Sequence, residues 1–204
     1  MKTEESSLRA QRRQYFDRLA PNWNDELSAE DEFFLKTMLH LIETPPELGK
    51  KVLDIGCGTG VLFPFFEEWE IVALDFSGEM LNRARKRGAR HIIEYVHADA
   101  HQLPFLTDSF ARVVMMSVFP HFDDPSAVLQ EIYRVLRPKG ITALIHLKDI
   151  KTVNHIHANT GGAVANDMLP EMNSLKLIMR SAGFDVCHAE SENRVALICR
   201  KPAA

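Results

Sequence analysis

The stretch Val52-Leu53-Asp54-Ile55-Gly56-Cys57-Gly58-Thr59-Gly60 reads as a buried strand that ends beside an acid and runs into a glycine-rich turn. Glycines at such a turn permit positive φ and let a ligand approach the backbone closely. Residues 61–69 read as a helix, with Pro64 near its first turn, where a missing N–H costs little. That helix would aim free N–H groups and a partial positive charge at whatever the turn holds. A second strand over 71–74 ends at Asp75, and Ser77 caps a helix that Gly88 stops.

The same alternation continues outward. Strands are predicted over 92–97, 112–117 and 140–147, with helices over 125–136 and 174–182. Two last strands, 186–190 and 195–200, form a hairpin around Glu192-Asn193. Upstream, 8–19 and 33–42 carry helical spacing, and Pro45-Pro46 ends the second of them. Strands alternating with helices imply an α/β fold with a mostly parallel sheet and ligands at its carboxyl edge. Residues 148–173 break the rhythm and read as a lid or substrate-shaping insertion.

The chain has 204 residues, enough for one domain with small decorations. Its net charge of −4 argues against a polyanionic partner such as nucleic acid. No apolar run approaches a membrane span. The opening MKTEESSLRAQRRQ has no apolar core and is not read as a secretory signal. Cys57, Cys187 and Cys199 are too scattered for a disulfide framework or a paired metal site, so the expected compartment is the reducing cytoplasm.

The turn is not a dinucleotide fingerprint, because Val61 stands where its third glycine belongs, and no P-loop is present. An acid beside the turn (Asp54) repels a pyrophosphate but accepts a hydrogen bond from an ammonium. Asp75, at the tip of the second strand, suits ribose hydroxyls. A ligand with an ammonium, a carboxylate, a ribose and no phosphate fits this charge pattern, which favours S-adenosylmethionine (SAM) over NAD. The plain alternative for the glycines is a tight turn with no ligand.

With these residues in place, 15–148 resembles the class I SAM-dependent methyltransferases, in particular the small-molecule branch with the ubiquinone/menaquinone methyltransferases and the methyltransferase type 11 domain. VLDIGCGTG resembles the SAM loop, which implies Asp54, Gly56, Cys57, Gly58 and Gly60 as cofactor contacts. LDFSGEML resembles the ribose-binding strand end, with Asp75, Phe76 and Met80. HADAHQLPF resembles the adenine edge, with Asp99 toward the amino group and Ala100 lining the ring. DSFARVVMMSVFPHF resembles the fourth strand and the active-site segment after it, including Ser117; EIYRVLRPKGITALI resembles the next helix, turn and strand. The resemblance implies a Rossmann-like seven-stranded sheet in the order 3-2-1-4-5-7-6, last strand antiparallel, with helices on both faces. Residues 1–49 become a helical cap over the cofactor, through Tyr15 and Trp23, and 50–204 the SAM-binding domain with its insertion.

Methyl transfer needs alignment, exclusion of water and, for a protonated nucleophile, a base. Nine histidines are present. His121, His146, His155 and His157 all fall where the carboxyl edge is expected, and with Tyr15 they form the candidate catalytic set. His155 and His157 would share a face on a strand but not on a helix. Three readings stay open for the histidines: base or substrate contacts, ordinary hydrogen-bonded residues, or metal ligands, though no metal-ligand spacing stands out and no metal is expected. His40, His91, His97, His101 and His188 are given no role. A catalytic Cys57 is disfavoured. The basic run 83–90 reads as a solvated helix face. Ser117-Val118-Phe119-Pro120 lacks the tetrapeptide of amino-methylating nucleic-acid enzymes. The expectation is a methyltransferase with a small-molecule substrate, working as a monomer or homodimer without integral membrane contact. A quinone-precursor C-methyltransferase and a non-catalytic SAM-binding module are the alternatives.

Overall fold

The computed structural model describes residues 2–23 and 26–203; Met1, Asn24 and Asp25 of the expected cap, and Ala204, lie outside it. Seven strands form one sheet: β1 (Lys51–Ile55), β2 (Glu70–Asp75), β3 (Ile92–His97), β4 (Phe110–Met116), β5 (Leu136–His146), β6 (Asp185–Glu190) and β7 (Val195–Arg200). Their order is β3-β2-β1-β4-β5-β7-β6, as expected. β7 runs antiparallel to both neighbours, and the other pairings are parallel. The central strands are buried along nearly their whole length, because helices cover both faces.

One face packs α4 (Pro125–Val135), α5 (Ile150–Thr160) and α6 (Met172–Ser181) through Val128, Ile132, Val153, Leu175 and Met179. The other packs α2 (Ala29–His40) and α3 (Gly78–Arg87) through Leu35, Leu39, Leu81 and Ala84. Ser77 caps α3 by accepting the Met80 N–H at 3.1 Å, and Gly88 stops it at φ +63°. Ser28 and Asp31 cap each other at the start of α2, which moves that helix four residues ahead of its apolar stripe.

One expectation fails. Residues 61–69 hold only a single 3-10 turn, Phe63–Phe65. Pro64 denies an N–H to any longer ladder, and Phe63 and Phe66 plunge into the core at 2% and 0% exposure. The segment is held by its aromatic packing, with Phe66 stacked on Trp69 at 5.2 Å. The 148–173 insertion is partly helical. It contains α5, capped by Asp149, which accepts the Thr152 N–H at 3.0 Å.

The cap helix, α1 (Lys2–Leu19), lies along α3 and the insertion. Its Asp17 accepts the Ser77 hydroxyl at 2.6 Å and the Glu79 N–H at 3.3 Å. Arg83 donates to the carbonyls of Ala20 and Trp23. Arg87 donates to the Thr59 carbonyl at 2.9 Å. The basic run is the solvated face expected, with Arg85, Lys86, Arg87 and Arg90 exposed, and two of its members, Arg83 and Arg87, also tether the cap and the glycine turn.

Candidate active site

The glycine turn is stapled to the end of β2. Gly56 and Cys57 N–H groups donate to the Leu74 carbonyl, at 2.8 and 3.0 Å. Gly58 N–H donates to Asp75 Oδ2 at 2.8 Å, and Ser77 N–H donates to Asp75 Oδ1 at 2.8 Å. Since no α-helix follows the turn, no helix charge is aimed at a ligand, and these donors are spent within the fold. The turn offers close backbone approach, without an α-helix N-terminus behind it.

A cavity of about 400 Å³ opens over it, large enough for a small ligand. Gly56, Cys57, Gly58 and Thr59 form one wall with Asp75, Phe76 and Met80. Phe16, Trp23, Glu26 and Leu27 close it from the cap side. Met116, Ser117, Val118 and His121 come from the end of β4, His146 to Lys148 from β5, and Val153, Ile156 and His157 from α5. Ser117 takes positive φ, +56°, where the chain leaves β4.

The acids under this wall are unusual. Asp54 is 1% exposed, and neither carboxylate oxygen has a hydrogen-bond partner. Burial, reinforced by the negative charge of Asp75, pushes its pKa up to about 8. Burial likewise raises Asp75 to about 6, opposed by the N–H groups of Ser77 and Gly58. Cys57 is pushed well above the usual thiol range by burial and both acids, so it is no thiolate.

A second, smaller cavity of about 40 Å³ lies on the side of Asp99 and Ala100. Asp99 is not open there. Arg9 of α1 pairs with it at 3.0 Å and with Asp123 at 3.0 Å, while His101 Nδ1 donates to it at 2.6 Å. Burial raises Asp99, but the His101 bonds and Arg9 outweigh this and bring it down to about 2. The adenine edge implied by the sequence is thus occupied by an arginine of this chain. Arg9→Ala is expected to tighten SAM binding by up to about fivefold, since a half-exposed ion pair holds up to about 1 kcal/mol against entry. Titration calorimetry of both proteins checks this; equal or weaker binding by the variant counts against the latch.

His121 Nδ1 lies 2.7 Å from Asp167 Oδ2, its ring edge-on to Phe16 and 4.9 Å from the His157 ring. Burial lowers its pKa against the pull of Asp167, so it is neutral near pH 7. His157 Nδ1 donates to the Asp167 carbonyl at 2.6 Å. His146 is buried, its Nε2 has no partner, and burial with the nearby His121 and His157 lowers it to about 3. A group that releases its proton so easily cannot retain one taken from a substrate.

The cavity brings together Trp23, Gly56, Cys57, Gly58, Asp75, Phe76, Met80, Ser117, His121, His146 and His157. Asp54 and Gly60 are buried and do not line it. Asp99 and Ala100 line the smaller space. His155 is misplaced by the expectation: α5 turns it outward, exposed and 2.8 Å from Asn159. Tyr15 lines neither cavity; the cap presents its neighbour Phe16 instead. Sequence reasoning missed Arg9, Arg12 and Asp167, and gave His101 no role. Arg9 and Arg12, one turn apart on a helix, were the one available signal. Among the described residues, no group of three or more His, Cys, Asp or Glu is placed to hold a metal, and no helix is long and apolar enough to cross a membrane.

Comparison with known proteins gives one family match, a methyltransferase domain over residues 53–144. The chain is 31% identical over 167 aligned positions to the ubiquinone/menaquinone biosynthesis C-methyltransferase UbiE of Pectobacterium carotovorum, covering 67% of this chain and 66% of that protein. It is 34% identical over 108 positions to the 2-methyl-6-phytyl-1,4-hydroquinone methyltransferase 1 of Oryza sativa, covering 50% and 33%. The chain spans between 33% and 66% of the length of these curated relatives. A Haloferax volcanii chain solved in complex with the Trm112 methyltransferase activator superposes with TM-score 0.73 at 24% identity, over 92% of this chain and 97% of that one.

Proposed function

We propose that this chain, which belongs to the class I SAM-dependent methyltransferases, moves a methyl group from SAM to a small-molecule acceptor bearing a dissociable proton. The observation that carries the reading is one cavity onto which the glycine turn, Asp75 and two oriented imidazoles all face. The residues fit SAM. Asp54 is a buried carboxylate with both oxygens free for a cationic group, and Asp75 keeps acceptor lone pairs for hydroxyls. When bound, SAM supplies a methyl on a sulfonium that leaves as S-adenosylhomocysteine (SAH).

The chain's own residues do the rest. Phe16 and Trp23 cover the cavity and exclude water, which aids alignment for in-line displacement. His121, neutral and held by Asp167, takes the acceptor proton on Nε2. On methylation the acceptor's proton would pass to His121 Nε2. His157 is a second contact for the acceptor.

A quinone-precursor C-methyltransferase is the second reading. The apolar cavity walls, Leu27, Met116, Val153 and Ile156, favour it, as do the names of the relatives. We further take the chain to act in the cytoplasm, alone or as a homodimer, with a Trm112-like activator as the alternative partner suggested by the Haloferax chain. The test is calorimetry with SAM, SAH and NAD, followed by SAH release over a panel of phenols, hydroquinones and amines. SAM binding with turnover on one acceptor class is expected. NAD binding without SAM binding overturns the reading, and SAM binding without SAH from any acceptor reduces the chain to a SAM-binding module.

A further inference from the structure

Asp167 lies in the insertion, at 2% exposure, and three elements converge on it. Its carboxylate accepts from Arg12 of α1 and from His121 after β4. Its backbone carbonyl accepts from His157 of α5. Arg12 also pairs with Asp123, so the cap is bolted to the same centre.

The tautomers follow from the partners. A carbonyl oxygen only accepts, so His157 Nδ1 must carry hydrogen. Asp167 is held below its usual range: burial raises it, but hydrogen bonds from His121 and Arg12 outweigh that, so it is an anion that only accepts. His121 Nδ1 must then carry hydrogen as well. A ring whose single hydrogen sits on Nδ1 has its bare lone pair on Nε2, the nitrogen left for the cavity that both rings line. We propose that Asp167 is a positioning residue that fixes His121 and His157 together as Nδ1–H tautomers, presenting two Nε2 acceptors to a substrate that carries an O–H or N–H group, with Arg12 tying this arrangement to closure of the cap. The proposal rests on the methyl-transfer reading only for the fate of the substrate proton.

Two-bond proton–nitrogen spectra of the ¹⁵N-histidine-labelled full chain, without substrate, read the tautomers directly. Both rings are expected with hydrogen on Nδ1; His121 with hydrogen on Nε2 overturns the proposal. Asp167→Asn sharpens the test. Arg12 binds Oδ1 through both Nε and Nη2 but Oδ2 through Nε alone, so the new amide keeps its oxygen at Oδ1, turns its NH₂ toward His121 and favours the opposite tautomer. Turnover on whichever acceptor that panel identifies should fall at least tenfold, with SAM affinity changed less than twofold.

The titratable and charged groups facing His121 are Asp167, Arg12, His157 and His146. With the Asp167 charge removed and Arg12 left in place, the acid limb of the kcat profile should move to lower pH. Asp167→Glu should restore part of the rate and the wild-type profile. Unchanged kcat and pH profile in Asp167→Asn overturn the positioning role; if that variant does not fold, the wild-type tautomers and Asp167→Glu still decide. Failure to turn over any acceptor would sink the methyl-transfer reading while leaving the tautomer result standing.

Discussion

SAM affinity will rise close to tenfold per pH unit between pH 6 and pH 7, with release of about one proton on binding. The cause is Asp54. Its carboxyl is buried, neither oxygen is paired, and burial with Asp75 places its pKa at about 8 in the free protein. Free protein at pH 6–7 therefore holds Asp54 protonated. An ammonium brought beside it favours the anion, so the proton must leave, and each unit of pH below 8 makes that tenfold harder. The window stops at pH 7 because an α-amino group itself titrates at about 7.7–8.0.

Calorimetry in two buffers of different ionisation enthalpy measures the proton count. Asp54→Asn should abolish the pH slope and weaken binding about 10- to 100-fold at pH 7.5, the effect of one charged hydrogen bond of about 1.5–3 kcal/mol. Flat affinity with no buffer dependence would remove Asp54 from the ligand. The same shift acts on folding with a definite sign. The unfolded carboxyl titrates near 3.9 and the folded one near 8, so between these the native state binds more protons and loses stability as pH rises. Asp54→Asn should thus stabilise the free protein near neutral pH while harming binding, a site that trades stability for function.

What was legible in the sequence was what short-range chemistry fixes. The strand before Gly56, the Ser77 cap and the Gly88 stop each depend on residues within one turn of themselves, and all three stand as read. Residues 61–69 did not, because helical spacing of apolar residues and aromatic packing around Pro64 look alike in one dimension. Only the burial of Phe63 and Phe66 separates them. Asp99 shows the same limit at the site. Its position at the adenine edge was readable, but its partner Arg9 is ninety residues away. Asp167 left no local mark at all: its meaning is set by Arg12 and His121, which the fold delivers from two other elements. His155 and His157 were separable only once the insertion proved helical, since a two-residue spacing diverges on a helix.

Gly58 and Gly60 will behave oppositely although they look equivalent in the motif. Gly60 has φ +81°, and a Cβ there would stand 2.3 Å from the Phe63 ring. That ring is 2% exposed and packs edge-on to Tyr95, so it has nowhere to go. Gly60→Ala combines left-handed strain of about 1–2 kcal/mol with overpacking of about 1–3 kcal/mol. A loss of about 2–5 kcal/mol is expected in denaturant titration, enough to unfold a marginal domain. Gly58 has φ +53° and nothing within 4 Å of the built Cβ, while the residue itself lines the large cavity. Gly58→Ala should keep the fold, at the strain cost alone, and lose SAM affinity at least tenfold because a methyl group would fill space through which the ligand reaches the backbone. Equal stability of the two variants would show that Phe63 yields; wild-type SAM affinity in Gly58→Ala would show that the cofactor does not approach the turn from this side.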